Sequence, residues 1–273
     1  VAGVDDYLVL LVREADEAVL TFFTGIRHGG SKYGLGIKAK GFTGWGEKSL
    51  SGESVRQVER HGALLGRRRR DAQTVSIRAV AEERTDWELD QLERTVLGFL
   101  AEGDKCRLQV QKSDGTLWSP AVLDAVSFTP RGYAPKADVE LDLLLPDSIR
   151  YGQHEKQTAT SGTAVVVANR GTLHAWPIIT VTATTAMPGG YGLRLKNFAG
   201  AELGYLRIKT ALASGKSHRI DMAKGRVYAD GVIVWQARHS GTSWFVPRDQ
   251  ICSFQVEPIT GTALAVIEFD EAH

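Results

Sequence analysis

The sequence predicts a mainly β protein made of two bodies, and three observations carry that expectation. Apolar and polar residues alternate in one short segment after another, most clearly in the second half. A single stretch has helical spacing, and a polar interval from Pro146 to Gly162 separates two series of alternating segments. A β-strand sends successive side chains to opposite faces, so alternation marks an element with one buried and one wet side. The chain has 273 residues, 43% hydrophobic and 24% charged, which is enough for two globular domains that each bury a core.

In the first body, Val75, Ile77 and Ala79 alternate with Ser76 and Arg78. Thr85-Asp86-Trp87-Glu88 then reads as a capping box, in which the Thr85 hydroxyl accepts from the Glu88 amide. Leu89, Leu92, Val96, Phe99 and Leu100 follow on one helical face, and Gly103 is placed to stop the helix, giving a span of about 85–102. Leu108 and Val110, and later Val139, Leu141 and Leu143, return to alternation, with turns at Asp114-Gly115 and Arg131-Gly132. Strand, helix and further strands in this order predict a small barrel or sandwich with one packed helix, over residues 1–148.

Residues 25–70 break the pattern. They are rich in Gly, Ser and charge, include Gly41-Phe42-Thr43-Gly44-Trp45-Gly46, and end in Arg67-Arg68-Arg69-Arg70. A long loop of this kind is expected to be an arm that reaches a neighbour. Trp45 fits either an interface anchor or a ring tucked onto its own core. The arginine run fits an acidic protein surface better than DNA, and equally a solvated charge cluster. These five residues are the candidate interface.

Residues 149–160 have the composition of a linker. From 161 to 273, roughly nine short strands at sandwich-like spacing are expected. Ile179, Val181 and Ala183 oppose Thr180, Thr182 and Thr184, while Cys252, Phe254 and Val256 oppose Ser253, Gln255 and Glu257. Ala229-Asp230-Gly231 marks a hairpin, because Asp-Gly tolerates the positive φ of a two-residue turn.

No catalytic constellation emerges. Ser214-Gly215-Lys216-Ser217 resembles the tail of a phosphate loop, but Thr210 stands where that loop needs Gly, and His218 to Met222 reads as a strand. The glycines at 41, 44 and 46 lack dinucleotide-binding order, and Gly-x-Ser-x-Gly is missing. His28, His61, His154, His174, His218, His239 and His273 are scattered, without metal-ligand spacing. Cys106 and Cys252 each sit among apolar neighbours and read as buried small hydrophobes in separate domains. No catalytic residue, metal or cofactor is expected. A formal charge of +1, from 33 basic and 32 acidic residues, argues against general DNA or anionic lipid binding. No apolar run approaches the length of a membrane span or a signal peptide, as expected for a soluble protein made in a cytoplasm.

Several segments carry a resemblance. Asn169-Arg170-Gly171-Thr172 leading to Pro177, the hairpin Val227-Tyr228-Ala229-Asp230-Gly231, and Trp244 to Pro247 before the last strands ending at Glu268-Phe269-Asp270 resemble the distal tail proteins of long-tailed (siphovirus-type) bacteriophages. The likeness covers about residues 160–273. It departs at Arg248 and Gln250, where Gly and Asn commonly follow the Pro. The resemblance implies an N-terminal split β-barrel with one helix, related to tail-tube proteins, and a C-terminal galectin-like β-sandwich. It further implies a virion protein, assembled in the bacterial host cytoplasm, that forms a hexameric ring at the distal end of the tail tube. Its implied partners are further copies of itself, the tail tube protein, the tape-measure protein, and tail-tip hub and receptor-binding proteins, with DNA only in passage through the bore. It carries no catalytic residues to transfer.

Two other classes compete. A carbohydrate-binding β-sandwich module would use exposed aromatics, with Trp176, Trp235 and Trp244 as candidates, although Trp235 in Val232-Ile233-Val234-Trp235 reads as core. A cell-wall hydrolase with dispersed acids is the second, and no residues can be nominated for it.

Overall fold

Backbone pairing in the first half closes on itself. The computed structural model describes residues 7–24, 34–46, 50–51, 54–56, 63–65, 69–101, 103–132 and 134–273, with the side chains of 50–70 excepted. Two units are formed, Val1–Arg150 and Tyr151–His273. The strands of the first are β1 (Leu8–Arg13), β2 (Val19–Phe23), β3 (Gly34–Thr43), β4 (Leu50–Ser51), β5 (Ser54–Arg56), β6 (Ala63–Leu65), β7 (Arg69–Arg70), β8 (Gln73–Glu82), β9 (Lys105–Lys112), β10 (Gly115–Arg131) and β11 (Lys136–Leu145). Helix α1 (Asp86–Gly98) lies between β8 and β9.

Seven of these strands form a closed barrel in the order β11-β8-β3-β2-β1-β9-β10, with β10 pairing back to β11. Closure comes from the length of β10. Its first part, Gly115 to Val122, pairs with β9, and its second part, Val122 to Arg131, pairs with β11. The register shifts between Leu123 and Ala125, a bulge of the kind that bends a strand around a barrel corner. The β2–β3 pair is parallel, and the other neighbours are antiparallel. Alternation then decides the filling. Val9, Leu11, Phe22, Ile77, Leu108, Val139 and Leu141 all bury their side chains in one core.

Helix α1 follows its sequence signals closely. The Glu88 amide donates to Thr85 Oγ1 at 3.2 Å, and the Glu88 carboxylate accepts from the Arg84 amide at 3.2 Å. Leu89, Val96, Phe99 and Leu100 are buried and Leu92 packs against the same core. The helix ends at Gly98, short of the expected 102. Phe99 caps it, and Gly103, at φ +75, turns the chain away. Arg13 reaches this end from β1, donating to the Phe99 carbonyl at 2.9 Å, where the helix dipole favours a cation.

The second unit contains β12 (Tyr151–Thr160), β13 (Val165–Asn169), β14 (Ile178–Ala183), β15 (Tyr191–Asn197), β16 (Glu202–Ile208), β17 (Ser217–Asp221), β18 (Arg226–Ala229), β19 (Val232–Ile233), β20 (Arg238–Gly241), β21 (Gln250–Pro258) and β22 (Ala263–Ala272). One sheet runs β12-β22-β14-β17-β18-β19 and the other β13-β21-β15-β16-β20. Their inner faces share one core, with Ile179, Val181, Ile220 and Ile267 from the first and Leu193, Leu195, Phe254 and Val256 from the second. This is a β-sandwich. Cys106 and Cys252 are free and buried, one in each unit.

Residues 151–160, expected as linker, are instead strand β12, paired with β22 along its length. Of its ten residues only Ala159 is buried, so it shows no alternation from which a strand could be read. It is held by backbone hydrogen bonds, to which side-chain polarity is nearly indifferent.

Local turn chemistry matches the sequence. Asp230 and Gly231, at φ 48 and 80, form a two-residue hairpin loop between β18 and β19. Gly215, at φ 76, makes a turn into strand β17, so the phosphate-loop look-alike is a β-connection. In the Asn169-Arg170-Gly171 segment, Asn169 is buried, donates to the Leu173 and Val246 carbonyls, and accepts from the Gly171 amide. A Cβ on Gly171 would stand 2.3 Å from the Ala272 carbonyl oxygen, so only Gly fits where this turn crosses β22. Between Arg248 and Gln250, where the sequence departs from the resembled pattern, Asp249 adopts the left-handed turn conformation, φ 50.

A buried polar pair lies in the sandwich core. The Tyr191 hydroxyl meets His218 Nδ1 at 3.1 Å, with Tyr191 0% and His218 2% exposed. Burial lowers the His218 pKa below its ordinary value and raises that of Tyr191, so both groups are neutral where they meet.

Two outcomes are expected. The unfolded chain takes up the His218 proton before the folded one does as pH falls. Stability from this group is therefore complete above the unfolded histidine pKa of about 6.5 and declines as pH drops toward the folded value. Urea titrations from neutral to mildly acid pH should show that decline in the wild type and a flatter profile in His218→Gln. Gly171→Ala should cost about 2–3 kcal/mol through forced backbone displacement, read as a lower urea midpoint for the sandwich.

Candidate assembly surface

The segment expected as a loop is built as β-structure. Residues 34–43 are β3, a barrel strand that pairs antiparallel with β8. Farther out, β4 pairs with β7 through Leu50↔Arg70 and Ser51↔Arg69, and β5 pairs with β6 through Ser54↔Leu65, Val55↔Leu64 and Arg56↔Ala63. The pairings are nested between β3 and β8, so the described parts of this arm form short antiparallel pairs. Its outer strands are only two or three residues long, so no regular alternation announces them. Residues 25–33, the first part of the expected arm, lie outside the described residues.

Three of the candidate interface residues, Trp45, Arg69 and Arg70, fall within the described part of this segment. Trp45 sits at its root, directly after β3, and Arg69 and Arg70 form β7 on its return strand. Arg67 and Arg68 lie outside the described residues. Trp45 is half-buried and packs against the barrel core, with its ring 6.2 Å from that of Phe42. Of its two expected arrangements, the tucked one is present.

A residue the sequence did not single out holds that root. Arg150, 5% exposed, lays its guanidinium over the Trp45 ring at 4.1 Å. It also donates to the Trp45 carbonyl at 2.9 Å and to Gln73 Oε1 at 2.7 Å. Gln73 Nε2 in turn donates to the Gly44 carbonyl. Gly44 has φ +86, and a Cβ there would lie 2.3 Å from the Thr74 carbonyl oxygen, so the two chain segments touch backbone to backbone. Gly44-Trp45 begins the arm and Gln73 ends it, and Arg150 ties both to the barrel. A planar, always-charged fork suits this triple contact, since it stacks and donates at once. An isolated Arg in Asp147-Ser148-Ile149-Arg150 gave no signal of this role.

The three tryptophans weighed for sugar stacking take different positions. Trp235, read as core, is 78% exposed on the turn between β19 and β20, because the edge strand β19 ends at Ile233 and the chain turns before Trp235. Trp244 is buried and fills the space that Gly204 leaves, where a Cβ would lie 2.5 Å from its ring. Trp176 is exposed, edge-on to Phe245, whose ring stacks on His174 at 4.2 Å.

Features of reaction chemistry are sparse. Two hollows of about 410 and 380 Å³ open beside Tyr7 and Lys112, and no acidic residue lines either among the described residues. Burial pushes the Cys106 thiol up to about 12, the wrong direction for a nucleophile. Among the described residues no group of three or more His, Cys, Asp or Glu is placed to hold a metal, and no helix is long and apolar enough to cross a membrane.

The clamp has a measurable consequence. Arg150→Ala should destabilise the barrel unit by about 2–4 kcal/mol and speed proteolytic cutting near the arm root, with Arg150→Lys in between. An unchanged melting temperature and cleavage pattern in Arg150→Ala would remove Arg150 from this role.

No protein-family model and no curated protein matches the chain. Solved structures do. The SPP1 Dit (gp 19.1) protein, described as a paradigm of hub adsorption apparatus in Gram-positive infecting phages, is similar with a TM-score of 0.65 and 14% identity, over 97% of this chain and 99% of that one. Chains of the phage P2 baseplate in its activated conformation are similar at TM-scores of 0.54 with Ca and 0.55 with Sr, at 9% and 10% identity, over 97% of this chain and 98% of each. From end to end, barrel and sandwich together, this chain has the fold of these phage hub and baseplate proteins.

Proposed function

We propose that this protein is a structural component of a phage tail, a distal tail protein. Six copies form a ring joining the end of the tail tube to the tail-tip or baseplate and host-recognition proteins. The observation that carries this reading is the likeness to SPP1 Dit across both units, which leaves almost no part of either chain unmatched. The ring has a bore through which the tape-measure protein and then DNA pass, and the protein has no catalytic role.

Physical features support the reading. Ring subunits meet through unlike patches whose rotation closes, and a protruding two-stranded arm offers backbone and side-chain groups to such a patch. The clamp at Arg150 gives that arm a fixed root. The arginine run, whose Arg69 and Arg70 form β7, would meet an acidic surface on the neighbouring copy or on a tail partner. A formal charge of +1 suits a conduit, because a strongly basic wall would retain passing DNA. The sandwich unit, galectin-like in this reading, faces the tip proteins.

Negative-stain microscopy of the purified protein, alone and mixed with the tail tube protein, tests the proposal. A six-fold ring with a central opening is expected under at least one condition. Replacing Arg67, Arg68, Arg69 and Arg70 by Ser should lower the ring fraction, most clearly at low salt where charge pairing is least screened. A protein that stays monomeric even with the tube protein present would overturn it.

A further inference from the structure

At one edge of the sandwich the chain passes from one sheet to the other, and a hollow of about 240 Å³ opens there. Its floor is apolar, made by Val227, Ile233 and Ala237. Its rim carries Trp235, Arg226 and Arg238. Each rim residue is conspicuous for what it lacks. Trp235 is 78% exposed, and among the described residues no ring or cation stacks on it. Arg226 and Arg238 are exposed and make no ion pair with any described carboxylate.

The surroundings keep the hollow positive. No Asp or Glu lines it. The cross-strand partner of Arg226 is Asp221, but that carboxylate is buried and engaged by the Lys224 backbone amide at 2.9 Å and its ammonium group at 3.5 Å. Gly225, at φ +63, keeps the rim low, since a Cβ there would stand 3.0 Å from Ser243 Oγ and 4.0 Å from Arg238 Nη2.

A flat exposed indole, an apolar floor and two guanidinium groups not paired with any described carboxylate form a complementary set. The indole face accepts the C–H face of a sugar ring, whose edge hydroxyls remain wet. The two arginines present fork geometry to a phosphate or carboxylate. The volume falls below the roughly 300 Å³ at which drug-sized sites begin, so it suits one ring and not an oligosaccharide. A flat protein partner would use a broad patch with little need of a hollow.

We propose that this hollow binds a single acidic sugar unit, with its ring on Trp235 and its phosphate or carboxylate between Arg226 and Arg238. The site belongs to the sandwich unit alone and does not depend on ring formation.

Calorimetric titration of the full chain at low salt tests it, using N-acetylglucosamine 6-phosphate, glucuronic acid, N-acetylglucosamine and inorganic phosphate as probes. At least one acidic sugar should bind saturably, with the neutral sugar and inorganic phosphate each weaker by about tenfold or more. The double variant Arg226→Gln, Arg238→Gln should weaken acidic-sugar binding about tenfold or more, and Trp235→Ala about fivefold, with melting temperatures unchanged because all three side chains are exposed. Absence of saturable binding by either acidic sugar overturns the proposal. So does phosphate binding as tightly as the sugar phosphate, which marks a plain anion site. Variants that weaken capture of a purified tail protein while no acidic sugar binds would also overturn it, and would make the surface a protein interface.

Discussion

Strand β10 is the constraint on which the first unit depends. Pairing with β9 through one part and with β11 through the other, it removes the free edge that a seven-stranded sheet would otherwise present. The bulge after Leu123 supplies the bend, and without it the two registers could not both be satisfied on one strand. Everything described in that unit follows from closure. The interior becomes a single core, α1 can cover it, and the hairpin β3–β8 is fixed at its barrel end. An arm rooted in an open sheet would inherit that sheet's freedom, whereas this one departs from a ring of hydrogen bonds and is tied again by Arg150.

Most of the architecture was legible wherever one face of an element is dry. Leu108 and Val110, Val139 to Leu143, and Cys252 to Val256 alternate because half their side chains are buried, and each proved a strand. The helix was readable down to its first hydrogen bond, since Thr85 and Glu88 act within four residues. Reading failed where neither face is dry. In β12 almost every side chain is wet, and the arm strands β4 to β7 are a few residues long, so their order comes from backbone pairing that composition does not record. Trp235 failed for the opposite reason: an apolar run at an edge mimics a core strand.

The candidate site was legible only in part. The Gly, Ser and charge content of residues 25–70 set them apart as a candidate arm, and Trp45 among glycines as either an anchor or a tucked ring. What holds that base could not be inferred, because Arg150 and Gln73 come together only once the barrel has closed. The Asn169-Arg170-Gly171 segment shows a different kind of legibility. Its resemblance to a tail-protein motif was visible at once, and the structure supplies the cause: a buried amide bracing three backbone groups and a glycine pressed against β22. Such a motif reports a way of starting a sandwich and carries no chemistry of its own.

The nested pairing of the arm has a consequence for how these proteins can diversify. Side chains on a two-stranded ribbon repeat every second residue, so trimming or inserting two residues on each strand moves the tip by about 7 Å and leaves every remaining side chain on its original face. Reach can therefore lengthen or shorten in discrete notches while the barrel keeps the same sequence. A partner surface set nearer or farther is then matched by adjusting that one dimension.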